Sequence, residues 1–172
     1  MAEPILREEI IWKDNRYQIE LFDDTNFDKI SPITQSYAFV FNKESKILII
    51  RCKNNDWCLP GGTPENYDKD WKATLIREVD EEANVDIKNI IPIGYLKSIA
   101  KDKDPKKKEG YALRAIALLD KIKERKPDPA TGEINDVKFV SADEFLDYCK
   151  LGANGKAQLK LALKALKLHK IY

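Results

Sequence analysis

The stretch that most constrains this chain is "LPGGTPENYDKDWKATLIREVDEEANV", Leu59 to Val85. Its opening "PGGTPEN" holds two prolines and two glycines, which no strand or helix tolerates in its interior. From Asp70 onward neither residue recurs until Pro92, and the pattern predicts a helix over roughly Asp70–Ala83. That helix carries an electrostatic cost. Glu78, Asp80, Glu81 and Glu82 crowd into five positions, with Arg77 as the nearby cation. Like charges three and four residues apart share a helical face and repel by roughly 0.2–0.5 kcal/mol per pair.

A helical wheel of about 100° per residue shows how the cost is arranged. With Glu78 at zero, Glu81 falls about 60° to one side and Glu82 about 40° to the other, while Val79, Ala83 and Ile76 fall at about 100–160°. Ile76, Val79 and Ala83 therefore read as the core anchor, and the neighbouring face presents three carboxylates. Asp80 points away from them. A merely solvated acidic face would intersperse lysines, yet no lysine stands between Lys72 and Lys88. Convergent carboxylates of this kind suit a hard cation, Mg²⁺ or Mn²⁺, with water completing its shell.

Around this device the chain reads as α/β. "RYQIELF", "SYAFVF", "KILIIR" and "WCLP" are short β-branched and aromatic runs, and "NKES" suits a hairpin turn. "NIIPIGYLKSI" and "GYALRAIALL" follow the helix as buried strands joined by the lysine-rich "AKDKDPKKKE", expected to be a mobile loop. After the turn-rich "KPDPATGEIND", "DVKFV" is a further strand. Ser141 and Glu144 are placed as a capping box for a helix in "ADEFLDYCK". "LGANG" should end it, and "KAQLKLALKALKLHK" should form a last helix, with Leu159, Ala162, Leu163 and Leu166 docked on the sheet and its lysines wet.

The 172 residues suffice for one domain with a sizeable core. Residues 8–35 are expected to hold N-terminal strands, 36–145 the core and 141–170 the C-terminal helices. With 30 Lys and Arg against 29 Asp and Glu, net charge offers no global attraction for nucleic acid or membrane. No leader-like segment or long apolar run appears, so a soluble cytoplasmic protein is expected. Cys52, Cys58 and Cys149 lack metal or disulfide spacing and read as buried small hydrophobes. The one histidine, His169, leaves chemistry to carboxylates, basic side chains and a cation.

The whole stretch resembles the Nudix box, G-x5-E-x7-R-E-U-x-E-E-x-G-U, where U is bulky and aliphatic. Arg77, Glu78, Val79, Glu81, Glu82 and Val85 match its second half, and "W-x-L-P-G-G" is a typical lead-in. The first half departs from it. Spacing from Gly62 reaches Asp68 rather than Glu, whereas counting back from Arg77 reaches Lys69, because one residue is extra. Asn84 stands at the later Gly, a position expected to be left-handed, which Asn tolerates best after Gly.

The resemblance implies an α/β/α sandwich with a mixed sheet and a Mg²⁺-dependent (or Mn²⁺-dependent) hydrolase of a diphosphate linkage. Nucleoside triphosphates or nucleotide sugars such as ADP-ribose would be substrates, with water attacking phosphorus. It makes Glu78 and Glu82 metal ligands and Glu81 a further ligand or a water-mediated one, adds the Gly61 carbonyl, and has Arg77 orient Glu78. Catalysis would rest on Glu78, Glu81 and Arg77. A base can lie in a loop outside the box, where Glu133 is a candidate, and Glu65 in "GGTPEN" is better placed; Glu65, Arg114 and Trp57 are candidate substrate contacts. The alternatives are a Nudix-fold binding or regulatory protein that has lost catalysis, and a lysine-rich module for RNA or membrane built on Lys106–Lys108 and the last helix. The apolar N-terminal strands are available to a homodimer.

Overall fold

The computed structural model describes residues 3–52, 55–101 and 109–169. The lysine-rich 102–108, including Lys106–Lys108, lies outside them. Among the described residues nine strands form one sheet: β1 (Leu6–Trp12), β2 (Asn15–Phe22), β3 (Ile33–Phe41), β4 (Ile47–Arg51), β5 (Trp57–Cys58), β6 (Gly61–Gly62), β7 (Val85–Ala100), β8 (Glu109–Ile122) and β9 (Val137–Val140). Their order is β1-β2-β7-β8-β3-β4-β5, with β6 added to β3 and β9 to β4. The β3–β8 pair is parallel and the other pairs are antiparallel, so the sheet is mixed.

The sheet divides beside β3. β4 touches it at Phe41↔Ile47, whereas the short β6 takes its other end at Ser36↔Gly62 and Tyr37↔Gly61. Both faces of β3 are buried, as its alternation requires. Phe39 and Phe41 pack with Ile116, Phe145, Leu159, Ala162 and Leu166 on one side. Ala38 and Val40 pack with Leu75, Val79 and Ala83 on the other. One layer is thus α1 (Trp71–Ala83), and the opposite layer is α2 (Phe145–Tyr148) with α3 (Gly152–Leu168). Among the described residues no helix is long and apolar enough to cross a membrane.

Several expectations change. Ile76 does not anchor α1: it is 47% exposed, and Leu75 takes its place beside Val79 and Ala83. The buried stripe is centred on Val79, leaving Ile76 at its outer edge. Ser141 and Glu144 do exchange hydrogen bonds, but the helix after them is only four residues long. "GANG" opens α3 instead of ending a helix, because Asn154, Gly155 and Gln158 pack inward. A Cβ on Gly155 would stand 2.4 Å from the Leu151 Cβ. Cys52 and Cys58 form a disulfide rather than two free thiols, since the β4–β5 pairing returns Cys58 beside Ile50. Cys149 is free and buried.

The end of α1 is fixed by Asn84, which is left-handed at φ 53, ψ 47. Its N–H and its Nδ2 both donate to the Asp80 carbonyl, at 2.8 and 3.1 Å. Its Oδ1 accepts from the Lys126 N–H at 3.0 Å, tying the chain after β8 to the helix end. Asn84→Gly keeps the backbone and loses these side-chain bonds, costing about 1 kcal/mol; Asn84→Ala also pays for positive φ and should cost about 2–3 kcal/mol. Urea unfolding checks this, and equal losses in the two variants would show that the left-handed backbone is not what Asn84 supports.

Candidate active site

Sequence geometry brings α1 into contact with the Gly/Pro loop. Asp70 caps the helix, its Oδ1 accepting from the Lys72 and Ala73 N–H groups at 2.9 Å each. One residue earlier but one, Asp68 turns inward with its carboxylate 5% exposed. Arg77 answers it from the second turn: Nε donates to Asp68 Oδ1 at 3.1 Å and Nη2 to Asp68 Oδ2 at 2.8 Å. Nη2 also donates to the Thr63 carbonyl at 3.0 Å, and Nη1 to Glu78 Oε1 at 3.1 Å and Glu81 Oε2 at 3.0 Å. Those five bonds match the five N–H groups a guanidinium offers. Of the two candidates at the altered first half, Asp68 pairs with Arg77 and Lys69 is exposed on the turn. The extra residue is absorbed between Asp68 and the cap.

The two glycines complete the approach. Gly61 has φ +141, and a Cβ there would stand 2.1 Å from the Ser36 carbonyl oxygen. Its N–H donates to Glu82 Oε2 at 2.8 Å. A Cβ on Gly62 would stand 2.5 Å from the Glu78 carboxyl carbon, so glycine there lets that carboxylate lie against the loop backbone. Glu78, Glu81, Glu82, Arg77 and Gly61 are therefore gathered at one place.

The electrostatics are acid-rich. Burial pushes Glu82 up to about 8, opposed by the Gly61 N–H and reinforced by Glu78, Asp128 and Glu81. Burial also raises Glu78; Arg77 opposes this, and Glu81 and Asp128 add to it. Asp128 was not foreseen. It is 8% exposed, in the loop before β9, and its Oδ1 accepts from the Ala130 N–H at 2.7 Å. From the same loop Asn135 Nδ2 reaches the Glu82 carbonyl at 3.1 Å and Asp128 Oδ2 at 3.4 Å. In sequence Asp128 was one of several turn residues between prolines, with no periodicity to aim it.

Among the described residues the other candidates form no hydrogen bond or ion pair with the carboxylates of Glu78, Glu81 and Glu82, though the Glu65 N–H shares Asp68 with Arg77. Glu133 is exposed, with its carbonyl accepting from the Asp128 N–H at 2.8 Å. Glu65 is exposed and contributes its N–H to Asp68 Oδ2 at 2.9 Å. Trp57 is half-buried, edge-on to Tyr148 at 6.1 Å, with Arg51 and Lys138 against its ring. Arg114 is buried, stacked on Tyr37 at 4.8 Å.

The donor set is all oxygen, as a hard divalent cation prefers, and its acids outnumber the one guanidinium among them. Among the described residues no three acidic, histidine or cysteine side chains stand close enough to hold an ion as they are placed. Here Arg77 takes up Glu78 and Glu81, and the Gly61 N–H takes up Glu82.

Comparison with known proteins follows the same lines. The family model of the NUDIX domain matches residues 34–162. A pyrophosphohydrolase of Bacillus subtilis is similar in structure, with a TM-score of 0.67 at 13% identity, over 92% of this chain and 97% of that one. The NUDIX domain of Shewanella oneidensis NrtR, solved with ADP-ribose, gives 0.61 at 19% identity, over 82% and 94%. An ADP-ribose pyrophosphatase of Streptococcus suis gives 0.53 at 23% identity, over 78% and 92%. At these identities the likeness concerns the fold. No curated protein sequence matches.

The Arg77–Asp68 pair generates a pH prediction. Arg77 holds the Asp68 carboxyl well below the usual carboxylate range. A depressed pKa stabilises the fold above the unfolded value, about 3.9, and that stabilisation is lost as pH falls through the depressed one. Asp68→Asn should therefore cost about 2–3 kcal/mol at pH 7. Equilibrium unfolding should show the gap to wild type shrinking only below about pH 4; a gap that closes near pH 6 would mean another group is responsible.

Proposed function

This chain belongs to the NUDIX domain family, and from that premise we propose that it is a hydrolase, using Mg²⁺ or Mn²⁺, that cleaves the diphosphate linkage of a nucleoside diphosphate derivative. The observation that carries this reading is the gathering of Glu78, Glu81 and Glu82 against the Gly61–Gly62 loop, with Arg77 between them. A regulatory protein without catalysis gains nothing from holding repelling carboxylates on one helix face. The Asp68–Arg77 pair also supports the hydrolase, because the altered first half of the motif still supplies a carboxylate to Arg77.

Glu78, Glu82 and Glu81 would hold the ion, with the Gly61 carbonyl as a further oxygen. Bound there, it would offset phosphate charge and lower the pKa of the attacking water. The chain's own groups prepare the site. Arg77 fixes the rotamers of Glu78 and Glu81 by charge-assisted bonds, and the Gly61 N–H fixes Glu82. Asp128 adds negative charge from the opposite loop and joins Glu133 and Glu65 as a candidate to take a proton from water. Nucleotide sugars are the favoured substrates: one similar domain was solved with ADP-ribose, and another similar protein is an ADP-ribose pyrophosphatase.

Hydrolysis of nucleoside di- and triphosphates, dinucleoside polyphosphates and nucleotide sugars, with Mg²⁺ or Mn²⁺, tests the reading. Turnover should require the ion and be abolished by chelation. Glu82→Gln should lower kcat by about 100-fold or more while leaving the unfolding midpoint unchanged or higher, since the amide keeps an acceptor for the Gly61 N–H and removes an acid from a crowded, buried cluster. A Glu82→Gln protein with wild-type turnover would sink the assignment of Glu82.

A further inference from the structure

Tyr37 pairs with Gly61 on β6 at one side and with Arg114 on β8 at the other. Adjacent strands lie about 4.8 Å apart, which puts Arg114 roughly two spacings from the loop that holds Glu82. Burial raises the Tyr37 phenol, Arg114 opposes this, and Glu82 and Glu78 add to it, so both signs of charge reach one hydroxyl. A row across the sheet thus runs from an acidic pole to a cation.

That cation is unusual in its company. Arg114 is 9% exposed, and one face of its guanidinium is covered by the Tyr37 ring. Nε donates to Gln158 Oε1 at 2.5 Å and Nη1 to the Leu113 carbonyl at 3.0 Å. Gln158 Nε2 in turn donates to Asn154 Oδ1 at 2.6 Å, and both amides are buried on α3. Each of these partners is neutral, and among the described residues no carboxylate forms an ion pair with Arg114. Neutral hydrogen bonds do not repay the desolvation of a buried ion, so such a charge ordinarily has an acid beside it. Arg77, on the opposite layer, has three.

We propose that Arg114 is the receptor for a second anionic group of the substrate, a phosphate other than the one attacked, and that Gln158 and Asn154 are positioning residues whose neutrality keeps its charge available. The inference rests on the hydrolase reading for its substrate. Burial pulls the guanidinium down only to about 10, so it is cationic at neutral pH. The inward-facing amides also account for the early start of α3, where a leucine stripe alone gave no reason for Asn154 and Gln158 to be buried.

Gln158→Glu tests this by giving Arg114 the acid it lacks, with Asn154 free to turn its amide and donate. The fold should be at least as stable in a thermal melt. KM for the best substrate of the panel should rise about tenfold or more with kcat within about twofold, and ADP affinity measured calorimetrically without metal should fall by a similar factor. Gln158→Met, neutral and of similar length, should raise KM less. Equal effects of Glu and Met would overturn the role of neutrality. Turnover by wild type with unchanged KM and ADP affinity in Gln158→Glu overturns the receptor and leaves the hydrolase standing. ADP binding that weakens in Gln158→Glu, in a wild type that hydrolyses nothing, supports the receptor and overturns the hydrolase. A wild type that neither hydrolyses the panel nor binds ADP overturns both.

Discussion

Arg77 is the interaction on which the rest of the site depends. Its guanidinium spends every N–H it has, on two oxygens of Asp68, one each of Glu78 and Glu81, and the Thr63 carbonyl. It thereby joins a loop rich in glycine and proline, with little conformational preference of its own, to a helix whose acids repel one another. Loop and helix each carry a cost alone, and one planar donor fork offsets both. The loop is then held close enough for Gly61 to present its N–H to Glu82 and for Gly62 to lie beneath Glu78.

The sheet supplies the second constraint. Because β4 leaves β3 after a single pair, the opposite end of β3 is open to receive β6. That split lets the Gly61–Gly62 loop sit within the sheet, between the layer of α1 and the layer of α3. Tyr37 of β3 then stands within electrostatic reach of both layers: Glu78 and Glu82 of α1 act on its phenol, and so does Arg114, which bonds Gln158 of α3.

What could be read from sequence was what repeats locally. The spacing of Glu78, Glu81 and Glu82 fixes a face of α1, and Asn84 signals a left-handed stop, because both follow from one helix. Ile76 was misplaced because the wheel ranks residues by angle, and the edge of a buried stripe depends on how closely the sheet approaches. Asp68 and Lys69 could not be separated by counting, since the turn that absorbs the extra residue is set by the Arg77 contact and not by local preference. The Cys52–Cys58 bond depends on strand register, and the placement of Asp128 on a long loop closing over α1; neither leaves a periodic trace. Gln158 and Asn154 were hidden for a related reason, since polar residues at helical spacing read as a wet face until the structure turns them inward.

Two arginines, Arg77 partly buried and Arg114 buried, show how a chain with a net charge of +1 can present strong local fields of both signs. Arg77 is saturated by acids and so adds little positive potential of its own; its effect is to hold carboxylates together. Arg114 bonds the Gln158 amide and the Leu113 carbonyl and lies on the Tyr37 ring, so among the described residues no paired carboxylate cancels its positive potential. On the proposed reading, a ligand made of a divalent cation and a polyanion would use this division, one pole for the metal and one for phosphate oxygens it does not neutralise. If the arginines exchanged partners, with acids beside Arg114 and amides beside Arg77, the formal charge would be unchanged and both poles would vanish. The choice of partner for each arginine, more than the count of charges, therefore sets what this surface can bind.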